Sequence, residues 1–245
     1  MNNSVAYRKV SEAIALIISS LLNLVSLCLG IIWLTKKGGL PYIFSTLNLP
    51  RKNEYPFYYI HKKSQFEKLP ITNSDIIFLG DSLTDEGEWS ELLEIPIKNR
   101  GISGDTTDRI LNRLAQIIES KPHKIFLTIG INDLLNGSLE AQLLLKYQSI
   151  LAELQKTPNT KVFIISILPV NNTLTRYLQN NHKIAKINLQ LKKITTDFNY
   201  EFIDVFTHLI DKNNQLDTQY TSDGLHLNGQ GYLVWKEVIA NAATA

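Results

Sequence analysis

The feature that most constrains this chain is an alternation that begins near residue 70. Short runs of apolar, strand-forming residues at about 76–79, 96–99, 124–129, 161–168 and 201–205 are separated by stretches long enough for helices. Parallel strands need crossovers of a dozen or more residues, whereas antiparallel hairpins need only a few. The spacing therefore predicts a five-stranded parallel sheet with helices on both faces, a three-layer α/β/α sandwich joined by right-handed crossovers. Between the strands, helices are expected at 88–94, 106–119, 138–155 and 177–198, with a closing helix at 230–240. In the second of these, Ile110, Leu111, Leu114, Ile117 and Ile118 repeat with helical periodicity, and Asp105 or Thr106 is placed to cap its start.

The ends of the strands are more informative than the strands. The first runs Ile76-Ile77-Phe78-Leu79 and stops at Gly80-Asp81-Ser82; the second leads into Gly101-Ile102-Ser103-Gly104-Asp105; the third ends in Gly130-Ile131-Asn132-Asp133. Parallel strands point the same way, so all three polar tips fall along one edge of the sheet, the edge at which open α/β sheets bind ligands. Gly-Asp-Ser by itself is also ordinary turn chemistry, and it is not the Gly-x-Ser-x-Gly elbow, because Thr84 stands where the second glycine would be. Three such tips converging on one edge ask for more than turn formation.

A fourth polar cluster, Thr221-Ser222-Asp223-Gly224-Leu225-His226-Leu227-Asn228, lies near the C-terminus. A nucleophilic serine needs a base, and the base needs a group to orient it. Asp223 and His226, three residues apart on one loop, allow the carboxylate to reach Nδ1 and leave Nε2 free to face Ser82. The alternative is an acidic turn carrying an incidental surface histidine.

Composition narrows the classes. Of 245 residues, 44% are hydrophobic and 20% charged, which describes one ordinary globular domain plus an extension. The net charge of +2 gives no reason to expect a nucleic-acid surface. With one cysteine, Cys28, no intrachain disulfide can form. No metal-ligand spacing occurs, so no metal or other cofactor is expected. His61, His123, His182 and His208 belong to none of the polar clusters.

The extension has its own signature. Residues 13–34 form a charge-free run of about 22, enough helix to cross a hydrocarbon core of about 30 Å. Asn23 is its one strongly polar residue. The expected layout is an N-terminal tail at 1–12, a transmembrane anchor at 13–34, a juxtamembrane linker and short helix at 35–69, and a catalytic domain at 70–245. A cleaved signal peptide would have a shorter apolar core and a small-x-small site. Because Arg8 and Lys9 precede the run and Lys36 and Lys37 follow it, the charges do not orient the chain.

In order and spacing, Gly80-Asp81-Ser82-Leu83, Gly104 within Ile102-Ser103-Gly104-Asp105-Thr106, Gly130-Ile131-Asn132-Asp133 and Asp223-Gly224-Leu225-His226 resemble the four blocks of the SGNH (GDSL-type) esterase and lipase family. The run 99–107 most resembles the platelet-activating-factor acetylhydrolase-like branch. The resemblance covers about residues 70–243 and leaves the membrane segment out.

It implies a flavodoxin-like SGNH hydrolase fold and a serine esterase acting on carboxylic esters of small molecules, lipids or acylated glycans; the expected anchor at 13–34, read from the charge-free run alone, would tether it to a membrane. Ser82 would be the nucleophile, His226 the base and Asp223 its orienter. The backbone N–H groups of Ser82 and Gly104, with the side-chain amide of Asn132, would form the oxyanion hole. Asp81, Asp105 and Asp133 read as structural carboxylates accepting loop N–H bonds. Family analogy favours an extracytoplasmic domain. Two other functions stay open: an acyl transferase or deacetylase working on a surface polysaccharide, and a tethered binding module without turnover. The loops 169–176 and 206–222 are expected to border the substrate.

Overall fold

The structure is a computed structural model and describes residues 2–36, 55–175 and 178–244. The chain divides into two compact units, Met1–Tyr55 and Pro56–Ala245. In the first, helix α1 (Asn2–Lys36) contains the stretch Leu16–Trp33, long and apolar enough to cross a membrane. Most of the expected linker lies outside the described residues.

The second unit begins with helix α2 (Phe57–Phe66), whose buried Tyr59 and Phe66 pack with Ile102. The strands follow as β1 (Ile76–Gly80), β2 (Ile97–Gly101), β3 (Lys124–Thr128), β4 (Lys161–Ile165) and β5 (Glu201–Ile203). All pair in parallel, in the spatial order β2-β1-β3-β4-β5. This is the flavodoxin-like order, which reverses direction at β1 and β3 and opens a crevice beyond their carboxyl ends.

Short helices α3 (Ser82–Asp85) and α4 (Trp89–Leu93) follow β1, and α5 (Thr107–Leu111) and α6 (Ala115–Ser120) follow β2. After β3 come α7 (Ile131–Leu135) and α8 (Glu140–Leu154). The remaining helices are α9 (Asn181–Asp197), α10 (Phe206–Leu209) and α11 (Gly229–Thr244).

The central strands are buried, as a sheet covered by helices requires, and every residue of β3 is buried, whereas the edge strands β2 and β5 are only partly so. Phe78, Phe126 and Phe163 occupy one register row, their rings 4.8 and 4.6 Å apart from strand to strand. Trp89 of α4 sits 4.7 Å from Phe78 and 4.9 Å from Trp235 of α11, so these two helices cover the phenylalanine face. In a second group, helix α8 contacts both α5 and α9. Lys124, buried at the start of β3, donates to the carbonyls of Ala242 and Ala243 and so caps the last turn of α11.

Two helices differ from expectation. The single helix expected at 106–119 is broken at 112–114, because Arg113 turns inward to donate from Nε to Asp105 (2.8 Å) and from Nη2 to the Gly80 carbonyl (3.0 Å). The helix expected from residue 177 starts at Asn181, where the Asn180 side chain accepts from the amides of His182 and Lys183. Tyr177 itself lies outside the described residues.

Candidate active site

The turn after β1 leaves no freedom. A Cβ on Gly80 would lie 2.2 Å from Thr84 Oγ1 and 2.3 Å from the Thr128 carbonyl. Only glycine lets the strand end this close to its neighbours. Asp81 then caps α3, its Oδ1 accepting from the Leu83 amide at 3.1 Å. Ser82 therefore sits in the first turn of a helix at the mouth of the crevice. Two distant residues pin that helix. Asn99 of β2 donates to the carbonyls of Thr84 (2.9 Å) and Gly87 (3.1 Å), and Tyr232 of α11 donates to that of Leu83 (2.9 Å).

The C-terminal loop meets Ser82 from the other side. Ser82 Oγ is 3.0 Å from His226 Nε2, and His226 Nδ1 is 2.6 Å from Asp223 Oδ2. With the imidazole proton on Nδ1, facing the carboxylate, Nε2 is left as the acceptor for the serine hydroxyl. Asp223 Oδ1 accepts from the amides of Leu225 and His226, both at 2.8 Å. Partial burial pushes the Asp223 carboxyl up, but its hydrogen bonds from the His226 ring and these two amides outweigh that and hold it at about 2. Asp223 is thus ionised throughout the neutral range. The loop is positioned by Gly224, whose φ of +82° and tight seat, 2.6 Å from its Cβ position to the Asn171 carbonyl, exclude a side chain.

The other two tips close the ring. Gly104 has a φ of +78° and is exposed, a backbone conformation that favours glycine. Arg109 Nη1 donates to its carbonyl at 2.7 Å. Asn132, expected in a loop, lies in α7, and one hydrogen of its Nδ2 goes to the Asp105 carbonyl at 2.9 Å. That bond fixes the amide while leaving its second hydrogen free.

Behind these groups lie three buried carboxylates. Asp133 accepts from the Thr107 amide at 3.0 Å and from its hydroxyl at 2.6 Å, and Asp105 pairs with Arg113. Asp81 Oδ2 has no protein partner. Burial pushes the Asp81 carboxyl up to about 8, with the neighbouring Asp105 and Asp133 adding to the rise. Burial likewise raises Asp105, to about 6, against the pull of Arg113.

Sequence reasoning gave no role to Asn99, Arg113 or Asp85. A usable signal existed for Arg113, a charge three residues from buried Ile110 and four from buried Ile117 on the inward side of its helix. None of His61, His123, His182 and His208 joins the site; His182 instead pairs with Asn214. Among the described residues no group of three side chains is arranged to hold a metal.

A doubly wound sheet whose switch-point crevice holds a serine on the turn after its first strand, facing a histidine and an aspartate on one C-terminal loop, has the architecture of an SGNH-type fold. The comparisons agree. The profile of the GDSL-like lipase/acylhydrolase family matches residues 78–234, and the chain belongs to that family.

Among solved structures, one described as a platelet activating factor from Streptococcus pneumonia is 29% identical, covering 76% of this chain and 92% of its own, with a TM-score of 0.70. An acylhydrolase from Bacteroides fragilis shares the fold at 24% identity and a TM-score of 0.64, covering 77% of this chain and 97% of its own. An N-acylneuraminate cytidylyltransferase of Escherichia coli O18:K1:H7 is 28% identical over 183 residues, 73% of this chain but 42% of that protein. The chain spans less than half the length of such curated relatives.

Proposed function

We propose that this protein is a membrane-anchored serine esterase in which Ser82, His226 and Asp223 act as a catalytic triad. The reading rests on the continuous chain of contacts from Asp223 through His226 to Ser82, at 2.6 and 3.0 Å. Ser82 Oγ attacks the ester carbonyl while His226 Nε2 takes its proton, and Asp223 stabilises the imidazolium. The developing oxyanion is met by the N–H groups of Ser82 and Gly104 and the free amide hydrogen of Asn132. Collapse expels the alcohol, which receives the proton from His226. Water, deprotonated by the same imidazole, then releases the acid from Ser82.

Protein in detergent is expected to hydrolyse p-nitrophenyl acetate, and Ser82→Ala to lose nearly all of that rate. Equal rates would refute the assignment. Labelling of Ser82 by a fluorophosphonate separates the esterase from a binding module without turnover.

The substrate reading we favour is an acyl ester carried on a sugar, because the curated relatives are named for N-acylneuraminate chemistry. Release of free acetate from an O-acetylated acylneuraminate, against transfer to an added acceptor, distinguishes hydrolase from transferase. The anchor reading rests on the charge-free helix at Leu16–Trp33. Full-length protein retained in alkali-washed membranes supports it, and a shortened, released product marks a signal sequence instead.

A further inference from the structure

Gly104 is exposed, and among the described residues, its chain neighbours aside, Arg109 Nη1 at 4.0 Å is the one atom near its Cβ position. Packing at Gly104 itself therefore does not hold the peptide that carries its N–H group; the contacts of the residues on either side of it must. On the downstream side, Arg109 takes the Gly104 carbonyl and the Asp105 amide closes a turn onto the Ile102 carbonyl at 3.0 Å. On the upstream side, Asp85 Oδ2 accepts both the amide (3.0 Å) and the hydroxyl (2.9 Å) of Ser103. Ser103 supplies the carbonyl half of the peptide whose nitrogen belongs to Gly104, so fixing Ser103 fixes the direction of that N–H.

Asp85 is itself clasped from outside the hydrolase motif. Tyr58 donates its hydroxyl to Oδ2 at 2.6 Å, and Lys62 Nζ lies 2.7 Å from Oδ1. The Asp85 side chain is 6% exposed and that of Lys62 25%, so this pair is more shielded than a free surface bridge. Burial works to raise the Asp85 carboxyl, yet the bonds from Lys62, Tyr58 and Ser103 prevail and keep it below the ordinary range. Tyr59, one residue along, donates to the Arg109 carbonyl at 3.1 Å and packs on Ile102. One face of α2 thus reaches both sides of Gly104, although α2 lies outside the family match at 78–234.

We propose that Asp85, held by Tyr58 and Lys62 of the helix that precedes the hydrolase fold, is a positioning residue that sets the Gly104 N–H for the reaction. The same carboxylate ends the helix begun by Ser82, so it ties the nucleophile's turn to the loop of the second donor. This inference rests on the assignment of Ser82 and Gly104 made above.

The test uses the full chain in detergent with p-nitrophenyl acetate. A whole oxyanion donor is worth about 10²–10³ in kcat, and loosening one without deleting it is expected to cost about a tenth of that range, some 10- to 100-fold. The Tyr58→Phe/Lys62→Met double variant should lose about tenfold in kcat and Asp85→Asn more, with KM within about twofold of the parent. Lys62→Arg beside the intact Tyr58 should recover most of the rate. Lys62→Met alone, at a partly exposed position, provides a folded variant in which a smaller kcat loss is expected. Unchanged kcat in the double variant and in Asp85→Asn overturns the proposal, as does a loss carried by KM. If those variants are neutral while Ser82→Ala is dead, only this inference falls; if Ser82→Ala is active, the site assignment falls with it.

Discussion

Asp81, the residue before the serine, offers a test of the site's electrostatics that does not depend on activity. It is fully buried, Oδ1 holds the Leu83 amide, and Oδ2 has no protein partner. Its carboxyl is ordinarily half-protonated near 3.8 and is raised here to about 8, first by burial and then by Asp105 and Asp133. The folded state therefore keeps a proton that the unfolded chain releases. The associated stability is fully present below pH 3.8 and is lost as pH rises through about 8.

A fully effective proton corresponds to about 1.4 kcal/mol per pH unit. Between pH 6 and 8 the loss is about 2 kcal/mol, less than two full units because the group is half-titrated at the upper end. Asp81→Asn keeps an acceptor for the Leu83 amide and removes the titration. Urea unfolding followed by emission of Trp89 and Trp235, each 1% exposed, reports on this unit. The parent should lose about 2 kcal/mol from pH 6 to 8 and the variant much less. Parallel profiles, within about 0.5 kcal/mol, would refute the reasoning.

Two further substitutions separate chemistry from architecture. Asn132→Ala removes a donor whose second hydrogen is free, and kcat on p-nitrophenyl acetate should fall about 10²–10³-fold with KM little changed. Gly101→Ala puts a Cβ 2.2 Å from the Asp85 nitrogen. It should lower stability by about 1–3 kcal/mol in urea unfolding, since the crowded neighbour is backbone and cannot rotate away.

How much of this was legible beforehand depends on whether a residue's role is local. Ser82 could be located because an apolar run must stop before a polar turn, and Asp223 with His226 because three residues of one loop suffice to bring a carboxylate to Nδ1. Asn99 was not legible as a brace, since its partners at Thr84 and Gly87 are neighbours only across β1 and β2. The break at 112–114 was hidden for a similar reason: Ile110, Leu114 and Ile117 preserve the helical period, and only the inward ion pair of Arg113 with Asp105 interrupts it.

Periodicity, glycine placement and the four short polar clusters were enough by themselves to determine the layered parallel fold, the edge at which the polar strand tips converge and the residue types gathered there. Those are consequences of backbone geometry and of which side chains water excludes. Strand order, the 3.0 Å meeting of residues 82 and 226, the elevated carboxyl at 81 and the clasp from Tyr58 and Lys62 to Asp85 came only with the tertiary structure. Each depends on distances between segments far apart in the chain and on local burial, and neither quantity is written in any short stretch of sequence.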